Sequence, residues 1–276
     1  DNTRSRGLGD VYKRQIPLSV NPSSPGQGAL AVEIRSVDTD LKKLLSEINN
    51  EADYENVILE RKELKKYGGG CHQKIGVSFL NTHFGKLKYS KGENENGAAF
   101  YEKTIYKNNN LSSVKAKSFD EIFPAELSDY NFFNRVEIEN SNKKLSKLKD
   151  KCIWISRQSA LPKNTNIDLS NIIWVSGLET WKNIAKRGIW VNGSSDGLGE
   201  DIDSNIQYLT QNEWIKLTHL DAPISKIKKV MFTYKLEKNN IAYNLENKNF
   251  FYWMSSSAFK YALSKYCLLY TSDAAD

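Results

Sequence analysis

The sequence predicts an α/β protein in which a small α/β unit, a three-stranded sheet with two helices, is followed by an incomplete two-lobed parallel α/β domain. Three observations carry this expectation. Between residues 37 and 107, two stretches with apolar residues at helical spacing precede three short strand-like runs. Farther on, Cys152–Ser156 and Ile172–Ser176 are continuous apolar runs of the kind that parallel sheets bury on both faces. A chain of 276 residues is also long enough for two domains.

Taken in order, Ala29–Ile34 reads as a short apolar strand entered through the turn Pro25-Gly26-Gln27-Gly28. Asp38 or Thr39 can cap a helix whose Leu41, Leu44, Leu45 and Ile48 form one apolar stripe. A second helix is expected from Asp53 to Lys66, with Val57, Leu64 and Tyr54 as its inward candidates. Strands follow at Ile75–Leu80 and Lys86–Tyr89, turned at Phe84-Gly85, and again near Ala98–Tyr106. Residues 108–131 carry little periodicity and read as a linker, with a short helix at Phe119–Phe123. In 132–266, the run ending at Ser176 leads into Gly177-Leu178-Glu179-Thr180, which opens a helix that Gly188 ends. Ile189–Val191 then starts the next strand, completing a β-α-β unit. Lys229–Tyr234 is a further strand. Trp154, Trp174, Trp190 and Trp253 sit in apolar runs and are expected in cores.

Both ends of the chain read as something other than protein design. Ser5–Gln15 matches one translation frame of a transposon-based sequencing adaptor and Cys267–Asp276 a frame of its opposite strand, so 1–15 and 267–276 are set aside as scars. The remainder is then expected to be a fragment truncated at both ends. The scars carry four basic and four acidic residues, so the formal charge of +6 is unaffected by removing them. That charge fits either solubility or attraction to a polyanion. The basic residues are spread rather than gathered with aromatics, which argues against nucleic acid as partner. No stretch of about 20 apolar residues indicates membrane insertion. With the adaptor cysteine set aside, Cys71 and Cys152 are too few and too far apart for a disulfide framework or a zinc site. They fit a reducing cytoplasm, and a monomer with no metal is expected.

The chemistry points to Cys71, at the tip of Gly68-Gly69-Gly70-Cys71. Consecutive glycines admit positive φ and leave no Cβ in the path of a bulky group, which suits covalent attachment. A free cysteine in a turn is the plainer alternative. His72 and Lys74 either lower the thiol pKa by nearby positive charge or are solvated loop residues.

Pro25-Gly26-Gln27-Gly28 with Ala29–Arg35, then Glu60-Arg61, then Gly69-Gly70-Cys71 with Ile75-Gly76 resemble, in order and spacing, the C-terminal part of hydroxymethylbilane synthase, also called porphobilinogen deaminase. The resemblance implies that residues 16–36 hold the last strand of the first deaminase domain and 37–107 the cofactor-attachment domain. It also implies that Cys71, beside Gly69 and Gly70, carries a dipyrromethane cofactor through a thioether. That group would anchor a primer to which four porphobilinogen units are joined with loss of ammonia. The family's catalytic aspartate and carboxylate-binding arginines would lie outside this chain, leaving the fragment inactive with no catalytic residue of its own. Arg61 reads as a domain-packing or buried ion-pair residue, or as a contact to a cofactor carboxylate.

The second half contains a weak repeat. Ile153–Leu161 and Phe251–Phe259 each pass from an apolar strand into a Ser-Ala-apolar helix start. With Gly177 and Thr180, the pattern resembles uroporphyrinogen-III synthase, which would make 132–266 a truncated synthase-like domain that closes hydroxymethylbilane with inversion of one ring. In that reading Thr180, Ser255, Ser256 and Ser257 present hydroxyls and helix-start N–H groups to substrate carboxylates in a shared inter-lobe cleft. Plain serine capping is the alternative. A non-catalytic tetrapyrrole- or nucleotide-binding scaffold is the competing hypothesis for the whole chain.

Overall fold

A computed structural model describes residues 14–70, 72–94, 96–107, 118–126, 131–200, 210–223, 227, 229–245 and 247–266. Cys71 lies outside the described residues, as do most of residues 108–131 and all of 267–276. The chain divides into two compact units, 1–110 with 173–211, and 111–172 with 212–276.

In the first unit, α1 (Thr39–Ser46) and α2 (Glu51–Lys65) precede β1 (Ile75–Thr82), β2 (Gly85–Glu93) and β3 (Ala99–Lys107). Asn50 caps α2 by accepting from the Asp53 N–H at 3.2 Å, satisfying one of the orphan donors of the first turn. The sheet is antiparallel in the order β1-β2-β3, and a tight turn pairs Thr82 with Gly85. The period of two in β1 puts Ile75, Val77 and Phe79 on one face, where Leu59 and Leu64 of α2, Tyr67 and Phe100 pack against them. Along the other side of β1, the Val77 N–H donates to Ser23 O at 2.9 Å. A Cβ on Gly76 would lie 2.2 Å from Pro22 O, so that approach requires glycine.

Two expectations fail here. Ala29–Ile34 forms no strand and is largely exposed, Leu30 fully so. A strand needs a ladder partner, and none of the described residues offers one. The stripe of α1 forms as a helix but buries no residue, so of the two helices only α2 builds the core.

The same unit holds β7 (Ile172–Val175), α4 (Leu178–Ala185) and β8 (Gly193–Ser194), with β7 and β8 parallel. Gly188 ends the helical segment at φ +78°. The β-α-β unit forms as expected, but its second strand starts at Gly193, and Ile189–Val191 is not a strand. Trp190 is exposed rather than core, whereas Trp174 is 1% exposed.

In the second unit the strands are ordered β5 (Phe133–Glu137), β10 (Val230–Lys238), β9 (Glu213–His219), β6 (Lys151–Ile155). β6, β9 and β10 are parallel, and β5 is an antiparallel edge. The sheet is therefore mixed, correcting the purely parallel expectation. Apolar runs without alternation mark strands buried on both faces, which is why β6 was legible and the half-exposed β5 was not. The linker assignment also needs correction. Phe119–Glu121 is a 3-10 turn, and Ile122–Phe123 is a strand, β4, paired in parallel with β11 (Phe250–Phe251). Phe123 sits inside an aromatic core with Phe132, Leu245, Ala258 and Ala262, the last two from α5 (Ser256–Tyr266). A short α3 (Ser141–Leu145) completes this unit.

Candidate functional site

The glycine loop is held at both ends. On its N-terminal side, Gly69 N–H returns to Leu64 O at 3.3 Å in the last turn of α2, and the Tyr67 ring stacks on Phe100 at 5.3 Å with the planes 1° apart. On its C-terminal side the chain enters β1 at Ile75. Gly68, Gly69 and Gly70 have φ of +91°, +69° and +93°, a left-handed run that side-chain-bearing residues rarely adopt. A Cβ on Gly69 would meet no atom within 4 Å, whereas one on Gly70 would stand 3.0 Å from Cε1 of His72 and one on Gly68 3.3 Å from Nε2 of Gln73.

The loop's charged neighbours, His72 and Lys74, are both exposed, in line with the solvated alternative. Lys74 reaches Glu93 at 2.8 Å, and that hydrogen bond raises its pKa. His72 is exposed, with Nε2 3.2 Å from the Gln73 amide.

On α2, Glu60 is buried and its carboxylate accepts from two segments: Gly26 N–H at 2.8 Å and Phe79 N–H at 3.0 Å. The Pro25–Gly28 turn is thereby latched to α2 and β1, joining two of the three motif segments. Burial raises the Glu60 pKa, and the two backbone donors pull it back in part. Arg61 corrects the expectation of a buried ion pair. It is exposed, and its guanidinium lies over Gly26, 3.5 Å from where a Cβ there would stand. One turn on, Glu63 meets Lys66 at 2.6 Å and Lys88 at 3.3 Å; Lys88, 5% exposed, also reaches Glu102 at 3.0 Å. Burial would push Glu63 up, but the two ammonium groups outweigh it and hold its pKa below the ordinary value.

The hydroxyl-bearing candidates fall in different units. In the first unit, Thr180 Oγ1 stands 3.3 Å from Ser176 Oγ at the start of α4. In the second, Ser255 Oγ accepts from Ala258 N–H at 3.2 Å, a helix cap. Ser256 is exposed, and Ser257 Oγ lies 3.4 Å from His219 Nε2. Sequence reasoning assigned His219 no role. It ends β9, with Thr218 Oγ1 3.4 Å from its Nδ1 and the Tyr234 ring 5.7 Å away. Among the described residues, no group of three His, Cys, Asp or Glu side chains could hold a metal, and no helix is long and apolar enough to cross a membrane.

An antiparallel three-stranded sheet packed against α2, with a glycine loop between α2 and β1, defines a small α/β unit. Comparison with known proteins finds relatives of part of the chain. It is 33% identical over 84 residues to porphobilinogen deaminase of Fusobacterium nucleatum, covering 30% of this chain and 28% of that protein. It is 35% identical over 101 residues to a probable porphobilinogen deaminase of Sulfurisphaera tokodaii, 33% of this chain and 34% of the relative. It is 49% identical over 81 residues to the Staphylococcus carnosus deaminase, 29% and 26% respectively. The chain thus contains a region related to porphobilinogen deaminases and spans about a third or less of the curated relatives' length. No protein-family profile and no solved structure matches it.

Proposed function

We propose that residues 37–107, within the first unit, are the cofactor-attachment part of a porphobilinogen deaminase acting in tetrapyrrole synthesis, with Cys71 as the attachment point for dipyrromethane. The observation that carries this reading is the loop itself. Three successive glycines at positive φ, anchored between α2 and β1, lead directly to the only cysteine of the described unit's sequence, and open space flanks Gly69. The residues present fit such a group: a thiol to bear it and open space at Gly69, with the exposed His72 and the Gln73 side chain beside Gly70 and Gly68. When bound, dipyrromethane supplies the pyrrole terminus to which porphobilinogen units are joined. The protein's own part in this region is positional. Tyr67 on Phe100 and the Glu60 latch fix the loop's roots, while the glycines allow its tip to adjust as a bound chain lengthens. The substrates, porphobilinogen and the linear product, would meet their catalytic groups in the portion of the relatives that this chain does not span, so the chain by itself would be inactive.

For a full-length protein bearing this sequence, Cys71→Ser is expected to abolish ammonia release from porphobilinogen while leaving the far-UV circular dichroism unchanged. Retention of wild-type turnover would refute the attachment role.

For the second unit, a uroporphyrinogen-III synthase-like role is supported by the parallel β6-β9-β10 core and by serines at the segment after β6 and at the start of α5. The alternative is a non-catalytic scaffold, and ring closure assayed with Ser257 substituted separates the two: lost closure supports the synthase-like role, unchanged closure the scaffold.

A further inference from the structure

The β-α-β part of the first unit holds an arginine in a defined cradle. Arg14 lays its guanidinium on the Trp190 ring, with Cζ 3.8 Å from the centroid and 5.4 Å from that of Trp181 on α4. Both distances fall within the reach of a cation–π attraction. The Arg14 Nε–H donates to Val191 O at 3.0 Å, and the next residue, Gln15, donates its backbone N–H to Asn192 O at 2.7 Å. One side chain thus meets two indole rings and a carbonyl, and the main chain after it meets a second carbonyl.

The fold around the cradle sets its shape. Val191 is fully buried and Asn192 is 6% exposed. Asn192 N–H donates to Ile173 O at 2.8 Å, and its Oδ1 accepts from Ile173 N–H at 2.8 Å. These bonds to β7 fix the two carbonyls that Arg14 and Gln15 use. The segment leads into β8, the outermost strand of its sheet, where a passing chain can approach. Trp190 is 40% exposed although its apolar run suggested a core position. An indole face left at the surface beside fixed carbonyls suits a cation. Arg14 and Gln15 themselves fall in the stretch that reads as an adaptor scar, whereas Trp181, Trp190, Val191 and Asn192 belong to the β-α-β unit.

We propose that Trp181, Trp190 and the carbonyls of Val191 and Asn192 form a docking site for an extended peptide segment bearing an arginine, filled in cis by Arg14-Gln15 in this chain. Arginine suits the site better than lysine. A planar guanidinium stacks on an indole face while its Nε–H donates sideways to a carbonyl, and an ammonium cannot do both. The second carbonyl selects for peptide, because it takes the main-chain N–H of the residue after the arginine. A proline there would lack that donor. The inference stands independently of the role assigned to Cys71.

The test uses the full chain carrying Arg14→Ala, titrated with the dipeptide acetyl-Arg-Gln-amide and followed through the tryptophan indole N–H resonances by NMR. The chain has six tryptophans, and Trp181→Phe and Trp190→Phe identify the two signals that matter. The expected result is saturable movement of both signals with a millimolar dissociation constant. Acetyl-Lys-Gln-amide and acetyl-Arg-Pro-amide should each bind about fivefold or more weakly, the first lacking the stacked fork and the second the main-chain donor. In the unsubstituted chain the tethered Arg14 competes, so the arginine dipeptide should bind about tenfold or more weakly there. Adding Trp190→Ala to Arg14→Ala should abolish binding. The ring's exposure makes that substitution compatible with folding, which unchanged signals from the other tryptophans verify. No saturation up to ~50 mM in the Arg14→Ala chain would overturn the proposal. So would equal binding with and without Arg14, equal binding of the lysine or proline dipeptide, or binding that survives Trp190→Ala.

Discussion

Gly193→Ala is expected to destabilise the protein by about 3 kcal/mol, at the upper end of what overpacking costs. A Cβ on Gly193 would stand 2.1 Å from Cζ3 and 2.4 Å from Cη2 of the Trp174 ring. The ring cannot step aside: it is 1% exposed, and its Nε1–H donates to Ser195 Oγ at 3.2 Å. β7 and β8 pair at this point, Trp174 opposite Gly193, so relief by backbone movement would cost the ladder. Denaturant midpoints measure the loss. The cause is separable from a generic strand effect by Trp174→Val, which removes the obstructing ring. In that background Gly193→Ala should cost much less, and equal costs in both backgrounds would show that the ring is not the obstacle.

Glu60→Ala is expected to cost a similar amount, about 3 kcal/mol, because it strips the acceptor from two backbone donors at once. The Gly26 and Phe79 N–H groups both end on this carboxylate, so its loss frees the Pro25–Gly28 turn from α2 and β1. The pH dependence has a definite sign. Burial raises the folded-state pKa of Glu60 above its ordinary 4.5. A carboxyl raised on folding contributes its full stability below the ordinary value and loses it as pH climbs through the folded value. The gap between wild type and Glu60→Ala should therefore be wider near pH 4.5 than near pH ~8. Denaturation at the two pH values checks it, and a gap that widens with pH would contradict the assignment of burial as the dominant influence.

The elements that sequence reasoning placed correctly are those specified by neighbours in the chain. α2 has its Asn50 cap and apolar spacing, the β1–β2 hairpin has its Gly85 turn, and the β7-α4-β8 unit has Gly188 after its helix. What it missed depended on distant partners. Ala29–Ile34 has the composition of a strand, but a ladder is a property of two segments, and composition cannot supply the second. The stripe of α1 is a correct helix signal with no burial behind it. Phe123 looked like linker because its core partners, Phe132, Leu245 and Ala258, come from elsewhere in the chain.

The candidate sites divide the same way. The glycine loop was legible because three adjacent glycines and a cysteine are a local pattern, and the structure gives all three glycines left-handed φ. Within Glu60-Arg61, by contrast, sequence reasoning favoured the arginine as the buried residue. Only the fold reveals that the glutamate is inside, since its acceptors' partners lie on the Gly26 turn and on β1. His219 had no signal: it ends β9 and meets Ser257 of α5, 38 residues on, and no local motif announces that.

The attachment role of Cys71 is tested most directly by intact-mass spectrometry of a full-length protein bearing this sequence, alongside its Cys71→Ala variant. The wild type should exceed its sequence mass by that of two linked pyrroles, and the variant should carry no such addition. An active enzyme whose Cys71 remains unmodified would contradict the account.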